Sequence, residues 1–120
     1  MAISGPVYAY FSPGFERIRR RIDDGSIQVN MKAKYVDASV VDLTSLTVTV
    51  DIVDARGTVV VNDHSCSLTG ASTGDFRFTL ASAQFDKIHA GGGDYFIRPK
   101  FVNGGSAFAV NDPVIEFIPQ

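Results

Sequence analysis

The 120-residue chain has no tryptophan, one cysteine and two histidines. A single cysteine excludes a disulfide within the chain, so cysteine usage does not indicate a compartment. Lysine and arginine (11) do not outnumber aspartate and glutamate (13), and the formal net charge is −2. This balance gives no electrostatic reason to expect nucleic acid as a partner.

Long apolar runs are also missing. No segment approaches the ~20 residues of a membrane-spanning helix, so we expect no membrane partner. The opening MAISGPVYAYF has neither a basic region nor a long apolar core, and we expect no secretory signal. The length fits one domain with a single hydrophobic core.

Alternating apolar and polar residues dominate what remains, most clearly between Leu46 and Val61. Successive side chains of a β-strand point to opposite faces, so this alternation indicates half-buried strands. Ala55-Arg56-Gly57 interrupts the pattern, which predicts a hairpin whose turn uses a positive φ at Gly57. Similar patterns predict strands over residues 27–35, 62–68, 76–80, 94–102, 106–110 and 114–118.

The segment ASAQFDKI, residues 81–88, is the exception and predicts a short helical turn. Ser82 could cap it, and Gly91-Gly92-Gly93 could end it. The whole pattern predicts an all-β, immunoglobulin-like antiparallel β-sandwich of about seven strands with this one helical turn. We place the sandwich at residues 25–120, behind an extended N-terminal arm at residues 1–24.

The arm is rich in aromatic residues and broken by Gly5-Pro6 and Pro13-Gly14, which exclude a long helix. Its apolar side chains could cover an open edge of their own sheet or dock on another chain. We expect docking, because aromatic residues are enriched at interface cores. On this view, a chain starting near Asp23 would stay folded but fail to assemble. The docking residues would be Val7, Tyr8, Tyr10, Phe11 and Phe15.

Four arginines follow within the arm: Arg17, Arg19, Arg20 and Arg21. The segment could form helical turns or an edge strand with alternate arginines on one side. Glu16, Asp23 and Asp24 largely neutralise the cluster, so we expect ion pairs at a subunit interface rather than nucleic-acid binding. We therefore add these arginines to the candidate partner-binding residues.

Residues suited to catalysis or cofactor binding are scarce. His64 and Cys66 could face each other on a strand, but no third group or nucleophile motif accompanies them. One cysteine and two distant histidines are too few for a zinc site. The aspartates lie mostly at turns, where they bond their own backbone. We therefore expect no enzyme, no metal and no cofactor.

Three segments resemble the N-terminal domain of the phage baseplate upper protein: RIDDGSIQVNM, VVDLTSLTVTVDIVDARGTVVV and CSLTGASTGDFRFTLASAQFDKIHAGGGDYFIRPKFVNGG. Asp42-Leu43-Thr44 resembles the family's step into a hydrophobic strand, although Ser45 replaces the usual glycine. Thr73-Gly74 resembles its turn, residues 84–88 its helical turn, and Gly93-Asp94-Tyr95 its glycine-tyrosine strand entry. The resemblance covers about residues 21–120.

The resemblance implies an immunoglobulin-like module of tailed-phage virions without catalytic residues. Because this chain has the arm in front and ends after the sandwich, we expect a small separate virion component, made in the host cytoplasm. Its expected partners are other virion proteins, in a homo-oligomer or multi-copy assembly on a capsid, tail or baseplate. The alternative is a module that binds carbohydrate on a cell surface, with stacking faces from Tyr8, Tyr10, Tyr35 and Tyr95.

Overall fold

The computed structural model describes residues 3, 5–22, 25–103 and 106–119. These residues form ten strands, one α-helical turn, α1 (Ser82–Phe85), and one 3₁₀ turn (Ala71–Thr73). The strands are β1 (Val7–Phe11), β2 (Arg17–Arg21), β3 (Ile27–Tyr35), β4 (Thr47–Val53), β5 (Val59–Ser65), β6 (Ser67–Gly70), β7 (Asp75–Leu80), β8 (Gly93–Val102), β9 (Ser106–Phe108) and β10 (Val114–Ile118).

The strands form two sheets. The first has the order β1-β3-β7-β6 and the second the order β2-β10-β8-β4-β5, with β9 also paired to β8. Pairing is antiparallel except between β2 and β10, which run parallel. The polypeptide passes from the second sheet to the first at Cys66, between β5 and β6.

Alternation along β1, β3, β7, β8 and β10 places one face of each sheet in a common core. The fully buried side chains include five phenylalanines, two of which, Phe76 and Phe101, meet edge to face with ring centroids 5.9 Å apart. Phe117 meets Tyr95 and Phe85 in the same way, at 5.5 and 6.2 Å. The helical turn therefore covers one end of the core through Phe85.

Most strand predictions are confirmed. The predicted strand over residues 27–35 matches β3, and the hairpin joins β4 to β5 with a φ of 87° at Gly57. β5 continues to Ser65, past the predicted end of the hairpin at Val61. Its register shifts against β4, and Asp63 has a φ of 52°, so a bulge lies where polar residues had weakened the pattern.

The helical turn is shorter than expected and begins differently. Ser82 is its first residue rather than its cap, because Ala81 takes the preceding position and Gln84 Oε1 accepts a bond from Ala81 N at 2.8 Å. The helix ends at Phe85, ahead of the three glycines. Gly92 is required for another reason: at φ 76°, a Cβ there would lie 2.2 Å from Phe117 O.

The separate arm is the main correction. β1 pairs antiparallel with β3, and β2 pairs parallel with β10, so the two strands belong to different sheets of the sandwich. Val7, Ala9 and Phe11 are at most 2% exposed and lie in the common core. The boundary between residues 24 and 25 is therefore not a boundary between an arm and a sandwich. Asp23 and Asp24, which were expected to neutralise the arginines, lie outside the described residues.

Candidate docking surfaces

The residues considered for catalysis make structural contacts. Burial raises the pKa of the Cys66 thiol to about 12, so the thiol stays protonated at neutral pH. The His64 ring contacts other residues: its Nε2 donates to Thr79 O at 2.6 Å, and the ring packs edge-on against Phe78. His89 Nδ1 accepts a bond from Gly91 N at 2.9 Å. The Cys66 thiol lies 3.9 Å from the backbone oxygen of His64 and not against either imidazole ring.

Two features are absent from the described part of the chain. Within its residues, no group of three or more histidine, cysteine or acidic side chains is placed to hold a metal ion. No helix in this part is long and apolar enough to span a membrane.

A cleft lies on the outer face of the first sheet, and we call it the tyrosine cleft. In VYAYF, the buried Val7, Ala9 and Phe11 alternate with Tyr8 and Tyr10, which the pleat of β1 turns outward. β3 places Lys34 directly opposite Tyr8, with its Nζ 6.0 Å from the Tyr10 ring centroid. The volume is about 350 Å³, and the lining residues are Tyr8, Tyr10, Gly14, Lys34, Tyr35, Val36 and Ala38.

A tight turn after β3 forms one wall of the cleft. Tyr35 N donates to Ser39 O at 2.8 Å, and Ala38 adopts a φ of 70°. Asp37 Oδ1 accepts bonds from both Ser39 N and Ser39 Oγ, at 3.0 and 2.5 Å. These bonds lower the pKa of the Asp37 carboxyl. The result is an ordered turn that holds Val36 outward, 77% exposed.

A second cleft of about 370 Å³ adjoins the first and shares Tyr35 and Val36 with it. Its other lining residues are Gly5, Pro6, Asp37 and Ser39. Phe15 follows the lining residue Gly14 in sequence and is 57% exposed. Exposed apolar side chains thus accompany the tyrosines of the cleft.

The arginines lie on the other sheet. β2 is its outermost strand, and Arg17, Arg19 and Arg21 project to the solvent side, as the edge-strand alternative predicted. Arg17 makes two bonds to the Asp94 carboxylate, at 2.8 and 2.9 Å, and Arg19 pairs with Glu116 at 3.4 Å. The hydrogen bond from Arg17 lowers the pKa of Asp94. We call this strand border the arginine edge.

The ion pairs differ from those expected. Asp94 and Glu116 come from β8 and β10 of the same chain, so pairing at Arg17 and Arg19 needs no second subunit. Arg20 Nη1 donates to Arg19 O at 2.7 Å. Within the described residues, Arg20 and Arg21 have no carboxylate partner. The described acids therefore pair with only part of the expected cluster.

The nine predicted partner-binding residues thus separate into three places. Val7 and Phe11 lie in the core, Tyr8 and Tyr10 line the cleft with Phe15 nearby, and the arginines lie along the opposite sheet. The alternation of Val7-Tyr8-Ala9-Tyr10-Phe11 could have revealed this division, since it is a strand pattern. Lys34 and Val36 were missed because nothing local indicates which strand lies opposite β1.

Comparisons with known proteins bear on the fold. No protein-family model matches the chain. A search of curated proteins finds no significant match. Among solved structures, the periplasmic chaperone SfaE is similar with a TM-score of 0.52 and 11% identity, and the match covers 95% of this chain. This chain spans 58% of the chaperone's length.

Two further structures are more distant. Murine CRIg has a TM-score of 0.43 at 10% identity, covering 97% of this chain and 99% of its own. The Calx CBD1 domain has a TM-score of 0.43 at 12% identity, with the same two coverages. The chain is an immunoglobulin-like β-sandwich, as the alternation predicted. At these identities, the similarity concerns the fold alone.

Proposed function

We propose that the protein is a non-enzymatic structural component of a tailed-phage virion that acts by protein–protein docking. The observation that carries the docking role is the tyrosine cleft, with Val36 77% and Phe15 57% exposed beside it. The phage assignment rests on the resemblance of residues 21–120 to the baseplate upper protein family. Capsid decoration and a place in the tail or baseplate are both compatible with it.

The composition of the cleft suits a protein partner. Tyrosine rings bury ~150–250 Å² each and lose little conformational entropy when they are held by a strand. Lys34 adds a charge that a partner carboxylate can meet at the rim. Aromatic residues of this kind carry much of the binding energy at protein interfaces. The partners would be other virion proteins or further copies of this chain in a multi-copy assembly.

Incorporation into particles tests this function. Mass spectrometry of purified particles should find the protein in many copies. A Tyr8→Ser, Tyr10→Ser variant competing with the wild type should be incorporated at least about tenfold less. The matched control is Gln28→Ala, Asn30→Ala, which changes exposed residues of β3 away from the cleft. Absence of the wild-type protein from particles would refute the virion role, and equal incorporation of both variants would refute the cleft.

The tyrosine cleft also favours the carbohydrate alternative. It brings together Tyr8, Tyr10 and Tyr35, three of the four tyrosines expected to offer stacking faces. The fourth, Tyr95, is buried, and its hydroxyl accepts a bond from His89 N at 2.9 Å. A glycan array separates the two functions. A reproducible hit that survives Tyr10→Phe and disappears in Tyr10→Ala would establish glycan binding in place of protein docking.

A further inference from the structure

Within the described residues, the outer border of β2 pairs with no other strand. Val114 N donates to Glu16 O at 2.9 Å, and Ile22 N donates to Ile118 O at 3.0 Å. In a parallel pair, alternate residues bond the neighbouring strand, so the even-numbered residues of β2 face β10. The N–H and C=O groups of Arg17, Arg19 and Arg21 therefore point away from the sheet. Among the described residues, the one bond to these groups is that from Arg20 Nη1 to Arg19 O.

The side chains of this border define what can pair with it. A second copy of β2 would place arginines opposite arginines, and like charges directly opposite destabilise a strand pair. An acidic strand would instead bring carboxylates to Arg21, which has none within the described residues, and to Arg19, which lies 3.4 Å from Glu116. Arg19 and Arg21 project on the same side, so acidic residues at alternate positions would meet them.

We infer that the arginine edge is a strand-addition site for an extended acidic segment of a partner protein. The incoming strand bonds the outward backbone groups of Arg17, Arg19 and Arg21, and its alternate carboxylates meet the side chains of the same arginines. Binding displaces the Arg20 guanidinium from Arg19 O. The competing explanation is that the arginines only protect an edge strand from aggregation, as charged residues commonly do.

A synthetic peptide of about eight residues with alternating glutamate and valine is a suitable probe. We expect it to bind the full-length protein at ~0.15 M salt, measured by calorimetry. The control peptide has the same sequence and charge, but its backbone nitrogens carry methyl groups, so they cannot donate to the edge. We expect it to bind at least about tenfold more weakly. Equal binding of both peptides would show mere charge attraction and overturn the inference, as would no binding of the first.

Two protein variants locate the binding. Arg19→Ala keeps the outward N–H and should weaken binding of the peptide by a few-fold. Arg19→Pro removes that N–H, which makes no bond to β10. It should therefore weaken binding of the peptide at least about tenfold. Equal affinity of the two variants would overturn the inference. The inference does not depend on the tyrosine cleft, because Tyr8→Ser, Tyr10→Ser should bind this peptide normally.

Discussion

Two strands of the sandwich, β1 and β2, come from the first 22 residues of the chain. The outer edge of β1 is covered by hydrogen bonds, whereas the outer edge of β2 is lined by charged side chains. At β1, the outward backbone groups are bonded within the chain. Val110 N donates to Val7 O at 2.7 Å, and Phe11 and Phe15 exchange two bonds of 2.7 Å. The Asn111 side chain accepts from Ala9 N and donates to Ala9 O, both at 2.8 Å. At β2, the corresponding groups face outward, and within the described residues they accept one bond, from Arg20 Nη1 to Arg19 O.

This difference shows what an edge needs in order to be closed. Asn111 imitates a strand, because one amide side chain supplies both an acceptor and a donor to the same residue. β2 relies instead on charge: arginine side chains line the border, and two of them are anchored to acids of the same chain. A hydrogen-bonded edge rejects every incoming strand, whereas a charged edge rejects only strands of like charge.

The largest expected effect is that of removing both strands. Deleting residues 1–22 takes Val7, Ala9 and Phe11 out of the core, together with the packing of Ile18 and Ile22. Burial of a valine or phenylalanine is worth about 1.5–3 kcal/mol each, so the loss is comparable with a total stability of about 5–15 kcal/mol. We expect the truncated chain to unfold.

Circular dichroism and NMR of the truncated chain measure this. Unfolding is the opposite of the expectation from sequence, in which a chain starting near Asp23 stays folded. A truncated protein with dispersed amide signals and a cooperative unfolding transition would contradict the integration of β1 and β2, and would restore the view of a separable arm.

Alternation in the sequence predicts where each strand lies better than it predicts which strands pair with each other. β3, the β4–β5 hairpin and β7 follow from alternation, because the pleat makes each strand's burial pattern local. Membership of β1 and β2 in two different sheets depends on contacts across the chain. Arg19 and Glu116 are 97 residues apart, and Ala9 and Asn111 are 102 apart.

The tyrosine cleft was predictable in part for the same reason. The outward tyrosines of β1 can be read from the alternation of Tyr8 and Tyr10 with buried residues. Their meeting with Lys34 depends on the β1–β3 register, and the position of Val36 depends on a turn with a positive φ at Ala38. Alanine gives no local signal for that conformation, since it rarely adopts it.

The next largest effect concerns the covered edge. Asn111→Ala removes two hydrogen bonds and leaves the backbone of the buried Ala9 unsatisfied, so we expect a loss of about 2–4 kcal/mol in the free energy of unfolding. Urea titration measures it, with the exposed Asn62→Ala as control. Asn111→Asp should fall between them, because a carboxylate still accepts from Ala9 N but cannot donate to Ala9 O. An unchanged urea midpoint in Asn111→Ala would show that β1 is held by its side-chain packing alone.

The smallest effect concerns the ion pair of the arginine edge. Arg17 and Asp94 are 53% and 41% exposed, so Asp94→Asn should shift the urea midpoint less than Asn111→Ala does. Arg17 lowers the folded-state pKa of Asp94 below its unfolded value of about 3.9. The pair's contribution is therefore present above about pH 4 and is lost as the pH falls through the folded pKa. We expect the difference in urea midpoint between wild type and Asp94→Asn to appear at neutral pH, to shrink in high salt and to vanish in acid. Asp86→Asn, which changes an exposed aspartate outside the pair, is the control and should show no such difference. The Asn111 contribution should be insensitive to salt, because that bond carries no formal charge. A salt-independent loss in Asp94→Asn would mean that Asp94 acts through the local backbone rather than through Arg17, and the contrast between a hydrogen-bonded edge and a charged edge would then fail.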